Sequence, residues 1–313
     1  MSSCSTDGAA SPRVPQLSAV VVAFNGGRVL TECLEALTTD SVPDRVEILV
    51  VYDPAGSVGL ATASLGARFP KVHWLGVRSP ATVPRLRAHG MAAARGDVIA
   101  LLEDDCVVER GWCEAAIAAH NTEHLVIGGA VEPGPYKRAL DWAVYFCEYG
   151  RFTLPLQHGM NIVLALAANN VTYKRTALAR VPSSDDGFYD MFVHAAWERA
   201  GVPMRTDRTL VVRNVNAWSL AHVTSVPYHH GRAFAGHRAA GRSGPWRAAI
   251  GLLALGLPIL KLGRIVSGTA SRKRLAGRLL QALPWMVVFN TSWSLGEAVG
   301  YVRGPGDSAT RWR

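Results

Sequence analysis

Three acidic residues in a row, Glu103-Asp104-Asp105, follow directly on the apolar run 98–102 (VIALL). Carboxylates held this close repel one another, and burial at the end of a strand would raise at least one of their pKa values. A divalent cation removes that cost. The hard oxygens of Glu103 and Asp105 suit Mg2+ or Mn2+, which keep their remaining positions for water and a diphosphate. The competing reading is a solvated acidic turn that caps the next helix. Two more polar residues end apolar runs in the same manner: Asn25 closes 17–24 (LSAVVVAF) and Asp53 closes 46–52 (VEILVVY). A carboxylate such as Asp53 can accept a hydrogen bond from a nucleobase N–H, although Asp-Pro-x-Gly is also an ordinary turn sequence.

These residues need elements to position them. Apolar runs at 17–24, 46–52, 72–76, 98–102 and 125–131 read as buried strands, with helical spacing between them at 29–37, about 84–94 and 112–120. Such alternation predicts an α/β fold, a mostly parallel sheet with helices on both faces. Ligands of open sheets bind beyond the carboxyl ends of the strands, so Asn25, Asp53 and the acid cluster are expected on one rim. From 133 to 212 the pattern is less regular. The aromatic segment 142–149 (WAVYFCEY) reads as a helix that packs on the sheet or lines a cleft, a helix is expected over 189–200 and a strand over 209–212.

The formal net charge of +9 over 313 residues suits nucleic acid until the charges are located. From 208 to 296 there are 12 Lys and Arg and no Asp or Glu, while the rest of the chain holds 21 bases against 24 acids. The basic residues alternate with apolar stretches and not with a stacking platform, so no nucleic-acid partner is expected. A hydrophobic fraction of 49% and a mean hydropathy of +0.12 exclude disorder and lean toward membrane contact. The stretches 248–260 and 279–296 are uncharged for 13 and 18 residues. Both contain Pro and fall short of the roughly 20 apolar residues of a bilayer crossing. Helices lying in the interface, with Trp246, Trp285 and Trp293 at headgroup level, fit better, on the anionic cytoplasmic face of the cell membrane. The alternative is a pair of core helices in a C-terminal subdomain. The five cysteines, Cys4, Cys33, Cys106, Cys113 and Cys147, show no C-x-x-C spacing, so neither a disulfide framework nor a zinc site is expected. The first 16 residues lack an apolar core of the secretory type and are expected to be flexible.

The segments 17–25 (LSAVVVAFN), 49–53, 87–97 (RAHGMAAARGD) and 101–112 (LLEDDCVVERGW) follow in an order and spacing that resembles family 2 glycosyltransferases of the GT-A fold. Farther on, 167–178 (AANNVTYKRTAL) resembles the family's Gly-x-Asn segment before an Arg-rich helix start, and 189–201 (YDMFVHAAWERAG) resembles its acidic acceptor-site helix. The resemblance implies a Rossmann-like GT-A domain over 17–240, with a nucleotide-binding half (17–131) and an acceptor half (132–240). A basic, apolar helical tail over 241–313 would associate with the membrane. It also implies transfer of a sugar from a nucleotide-sugar donor to an acceptor hydroxyl, on a glycan or a lipid-linked molecule, with inversion. By position, Asn25 and Asp53 lie at the donor with Asp53 on its base, and Arg87 stands where the family keeps a basic residue near the donor. Asp105, with Glu103 or Asp104 beside it, holds the metal on the diphosphate, Asp104 lying on the donor side. Asp190 matches the general base.

The pattern departs from the family in three places. Glu103 stands where Asp is commoner, and Tyr189 stands before Asp190 where the family often has Glu. Asn214 occupies the position at which a His commonly completes the metal site. An amide oxygen can ligate Mg2+, but more weakly than an anion or an imidazole ligates the metals they suit. His222, His229, His230 and His237 could touch the diphosphate or the metal, with a solvated basic loop the plainer reading for most of them and Arg232 the candidate for a phosphate contact. His194 lies one turn after Asp190 and could orient its carboxylate, or stand on the helix surface. The expected function is metal-assisted glycosyl transfer in the synthesis of an envelope glycolipid or polysaccharide. The alternative is a catalytically silent GT-A module that binds a nucleotide or a membrane partner.

Overall fold

All seven residues of the first strand, β1 (Leu17–Ala23), are buried. Burial on both faces is what a central strand between two helical layers requires. In the computed structural model, which describes residues 14–42, 44–156, 162–180, 187–270 and 272–311, the chain then alternates helix and strand. It runs through α1 (Gly27–Asp40), β2 (Val46–Tyr52), α2 (Ser57–Arg68), β3 (Val72–Gly76), α3 (Val83–Ala93) and β4 (Val98–Glu103). Next come β5 (Cys106–Val108), α4 (Trp112–Ala119), β6 (Val126–Pro133), α5 (Ala139–Glu148), α6 (Ile162–Ala165), β7 (Asn170–Lys174) and α7 (Arg175–Leu178). The remainder is α8 (Asp190–Arg199), β8 (Met204–Asn214), α9 (Ser225–Arg238), α10 (Gly244–Ala254), α11 (Leu257–Ala270) and α12 (Ala276–Arg303). Cys4 and most of the N-terminal segment expected to be flexible lie outside the described residues.

The eight strands form one sheet in the order β3-β2-β1-β4-β7-β6-β8-β5. The pairs β1–β2, β1–β4, β2–β3 and β6–β8 are parallel, and the three pairings of β7 with β4, β7 with β6, and β5 with β8 are antiparallel. The strand expected at 125–131 therefore does not neighbour β4, because β7 is inserted between them. Hydrophobic spacing gave no sign of β7, whose buried side chains are partly polar. Asn170 Nδ2 donates to the Ala130 and Leu210 carbonyls, and Thr172 Oγ1 to that of Ile127. Both polar groups thus stay buried without an unmet hydrogen bond.

Side chains of β1 alternate between two cores. Leu17, Ala19 and Val21 meet Leu30, Leu34 and Leu37 of α1 and Trp112 of α4. Val20 and Val22 meet Leu86 of α3, Tyr173 of β7 and Trp197 of α8. A third core joins Tyr136, Trp142, Tyr145 and Phe146 to Met286 and Phe289 of α12. The aromatic segment on α5 thus packs mainly against α12, with the Tyr145 hydroxyl 2.9 Å from the Val131 carbonyl of β6.

The tail corrects part of the interfacial expectation. One face of α12 is core, and it crosses α9 so closely that a Cβ on Gly296 would collide with the Tyr228 backbone. Trp293 turns inward and stacks on Phe234 of α9. Several basic residues of the stretch 208–296 serve the fold. Arg272 donates to the Thr153 carbonyl at 2.9 Å, Arg274 pairs with Glu132 at 2.8 Å, and Arg247 donates to the Tyr301 carbonyl at 2.7 Å. Glu297, the first acid after Asp207, is buried and gathers Trp293 Nε1 at 2.6 Å, Arg238 at 3.3 Å and Lys261 at 3.5 Å.

Candidate functional site

The acid cluster separates into three roles once β4 is in place. Asp104 turns into the protein and accepts from the backbone N–H groups of Phe24, Asn25 and Gly26 at 3.1, 2.7 and 2.8 Å, and from Asn25 Nδ2 at 2.8 Å. Burial pushes its pKa to about 6 against these hydrogen bonds. Asp104 and Asn25 therefore clamp the turn between β1 and α1. The expected donor contact is corrected for Asp104, whose oxygens are buried and turned from the cleft. Asp53 likewise accepts from Ser79 Oγ, from Ala55 N–H at 3.0 Å and from Ala81 N–H at 3.0 Å, tying the end of β2 to the segment before α3.

Arg87 joins the other two halves of the site. Its Nη2 lies 3.0 Å from Glu103 Oε1 and its Nη1 lies 2.7 Å from Asp190 Oδ1. Burial would lower its pKa, but the charges of Asp190 and Glu103 outweigh this and raise it. Gly90, one turn later on α3, lets the helix sit on the sheet, since a Cβ there would collide with Val20 and Val51. That close approach brings Arg87 over the end of β4. Asp190 is the first residue of α8, where the helix dipole favours an anion. With Oδ1 on Arg87, Oδ2 is the oxygen left to take a proton.

Asp105 has no such cation among the described residues. Burial, then the charges of Glu103 and Asp104, push its pKa up to about 8. β5 and β8 pair Cys106 with Asn214, which sets the Asn214 amide against Asp105. The Tyr136 hydroxyl lies 2.7 Å from the Asn214 carbonyl and 2.8 Å from its Oδ1, yet has one hydrogen to give. As placed, Nδ2 faces Asp105 and lowers its pKa against burial, without a well-formed hydrogen bond; turned over, Nδ2 would donate to the hydroxyl and the hydroxyl to the carbonyl, at the loss of that interaction and of a long 3.3 Å contact from Asn216 N–H. Oδ1 then faces Asp105, an arrangement of two oxygens that needs a positive charge between them. Among the described residues, no three of His, Cys, Asp and Glu converge as ligands. The donor set is nevertheless all oxygen, from Asp105, Asn214 and the second oxygen of Glu103, and it fits Mg2+ or Mn2+.

Arg87, Glu103, Asp105 and Asp190 line one cleft of about 230 Å3. A family model described as "Glycosyl transferase family 2" matches residues 18–180, more than half of the chain. The chain belongs to glycosyl transferase family 2. Among its relatives is EpsH of Bacillus subtilis (strain 168), whose name describes a glycosyltransferase and which is 27% identical over 124 residues. That match covers 38% of this chain and 35% of EpsH, so the chain spans about a third of that relative's length. Its fold is similar to that of the mannosyltransferase PcManGT from Pyrobaculum calidifontis, solved with GDP-Man and Mn2+. The TM-score is 0.53 at 16% identity, over 94% of this chain and 88% of that one. TarS 1–349 of S. aureus with UDP-GlcNAc gives 0.50 at 12% identity, over 89% and 90%. These likenesses establish the GT-A fold.

Further residues of the family 2 chain reach the cleft, of which Val226 and Phe234 had no sequence signal. Val226, His230 and Phe234 of α9 line it at helical spacing, joined by Trp293 of α12. Arg232 lies about half a turn from that face. Its Nε donates to the Gly304 carbonyl at 3.3 Å, so the expected phosphate contact is corrected to a tie with the C-terminal turn. His194 is buried and pairs with the Tyr173 hydroxyl at 2.9 Å, so it neither orients Asp190 directly nor stands on the surface. Glu148, near His230, adds a carboxylate to the wall. Asn169 also lines the wall. It is buried, and among the described residues neither its Oδ1 nor its Nδ2 finds a hydrogen-bond partner. Asn170 beside it is the structural one, since Trp112 Nε1 donates to its Oδ1 at 3.1 Å.

Proposed function

We propose that this protein transfers a sugar from a nucleotide-sugar donor to an acceptor hydroxyl with inversion at the anomeric carbon. The observation that carries the reading is the Arg87 bridge, which fixes Asp190 beside Glu103 and Asp105 in one cleft. Asp190 Oδ2 takes the acceptor proton as the hydroxyl oxygen attacks the anomeric carbon. The bond to the donor diphosphate breaks on the opposite face, and its electron pair leaves with the nucleoside diphosphate. Arg87 aims Asp190 through Nη1, and Glu103 holds Arg87. Asp105, Asn214 and Glu103 would hold a divalent cation, whose chemistry is to neutralise charge on the departing diphosphate. The unmet amide of Asn169 supports a hydrogen bond to the bound sugar. Much of the wall is apolar, with Val144, Phe152, Val163, Phe234 and Trp293. This supports a lipid-linked acceptor over a free glycan, and a role in envelope glycolipid or polysaccharide synthesis at the cytoplasmic face of the membrane.

The test is nucleoside diphosphate release from GDP-mannose, UDP-GlcNAc and a wider panel of nucleotide sugars, with Mn2+ or Mg2+. Asp190→Asn should slow release by roughly 10²- to 10⁴-fold, the usual range for a general base, while Glu148→Gln should leave most of it. An unchanged rate in Asp190→Asn overturns the assignment. Binding of a donor without turnover by the wild type would select the silent module instead.

A further inference from the structure

The helices α10 and α11 meet at a bend of 50°. Around that bend Leu252, Leu253, Leu255, Ile259 and Leu260 stand 49% to 80% exposed. Their opposite side is fastened to the body: Gly251 and Ala254 are buried in the packing against α12, and Lys261 reaches the buried Glu297. Isolated exposed apolar residues are normal on a monomer, but a run of five at one turn marks a contact surface. Charge beside it selects the occupant. Arg264, one turn beyond Leu260, is exposed beside it, Arg242 and Lys273 are exposed at the far ends of the two helices and Arg278 on the start of α12, and no acid occurs between 208 and 296.

We propose that the α10–α11 turn is a docking surface for an anionic bilayer, entered to the depth of the headgroups and not crossed. A second copy of the chain fits poorly, because joining two such faces brings like charges together. No single helix among the described residues is long and apolar enough to cross a membrane. The inner face of the bent pair is already committed to α12, which leaves only its outer face for lipid. An amphipathic surface of this kind binds through buried apolar area and attraction to anionic headgroups together. The proposal stands apart from the transfer chemistry, and its test requires no donor.

The test is flotation of the full chain with vesicles of phosphatidylcholine alone or mixed with phosphatidylglycerol, at low and high salt. Wild type should bind the anionic vesicles roughly tenfold or more better than the neutral ones, should lose much of that preference in high salt, and should be released by alkaline carbonate. Leu252→Asp/Leu253→Asp/Ile259→Asp should reduce vesicle binding by roughly tenfold or more at an unchanged melting temperature, because these side chains face outward. Wild type that stays with the soluble fraction, or a triple variant that floats equally well, overturns the proposal. Retention after carbonate overturns it in favour of a span. Concentration-dependent dimerisation that the triple variant abolishes, without vesicle binding, overturns it in favour of a second copy.

Discussion

Replacing Asn169 by Leu should make the protein more stable and a worse binder at once. Leu has nearly the shape of Asn, so the cleft wall keeps its packing while two buried polar atoms without partners are removed. Each such group costs about 1–3 kcal/mol, and about 2 kcal/mol for the pair is a conservative sum. In a chain of this size that raises the melting temperature by about 4 °C. The same amide is the group proposed to meet the sugar, and loss of one hydrogen bond of about 1.4 kcal/mol weakens binding by about tenfold. The assay is thermal unfolding without ligand, followed by the shift produced by whichever of GDP-mannose or UDP-GlcNAc stabilises wild type in the presence of Mn2+. A purely structural Asn169 would give a lower melting temperature. That result, or an unchanged affinity with a raised melting temperature, refutes the reasoning.

Glu297→Ala leaves Lys261 and Arg238 without their shared carboxylate; because both cations are partly exposed, the cost falls below that of a fully buried pair, to about 1–3 kcal/mol, and chemical denaturation should show a loss of that size. The acid limb of stability should depend on His120 and His194, which burial holds down to about 4. Between about 6.5 and 4 the unfolded chain binds more protons at these sites, so stability present above that window is lost as the pH falls through it, by up to about 3 kcal/mol for each. Denaturation midpoints from pH 7 to 4 should therefore fall less steeply in His194→Gln than in wild type. Asp104 and Asp105, raised to about 6 and about 8, act with the opposite sign in both proteins, so the difference isolates His194.

The parallel half of the fold was legible because its strands are continuous apolar runs, and β2 and β3 match their expected limits. The antiparallel half was not. β7 hides its burial behind Asn170 and Thr172, whose partners come from β6 and β8 and have no local signature. The candidate site was legible by type: Glu103, Asp105, Arg87 and Asp190 do meet in one cleft. Their division of labour was not, since which of three adjacent carboxylates turns inward depends on where the Gly26 turn lies. Arg232 and His230 look alike in sequence, and only the phase of α9 decides that His230 reaches the cleft. The charge count of the tail suggested a free basic surface, because Glu132, Glu297 and the carbonyls that absorb Arg274, Arg238 and Arg272 are distant in sequence.

The inward turn of Trp293 has a practical consequence for anyone producing this protein. An amphiphilic C-terminal stretch invites deletion, and a chain cut near residue 240 would keep every residue that the family resemblance covers. It would nevertheless uncover Trp142 and Phe146, strip the partner from Phe234, and open the cleft on the side where α12 closes it. Solubility is better sought by recolouring the outside of α10 and α11 with polar residues, which spares the wall that faces the substrate.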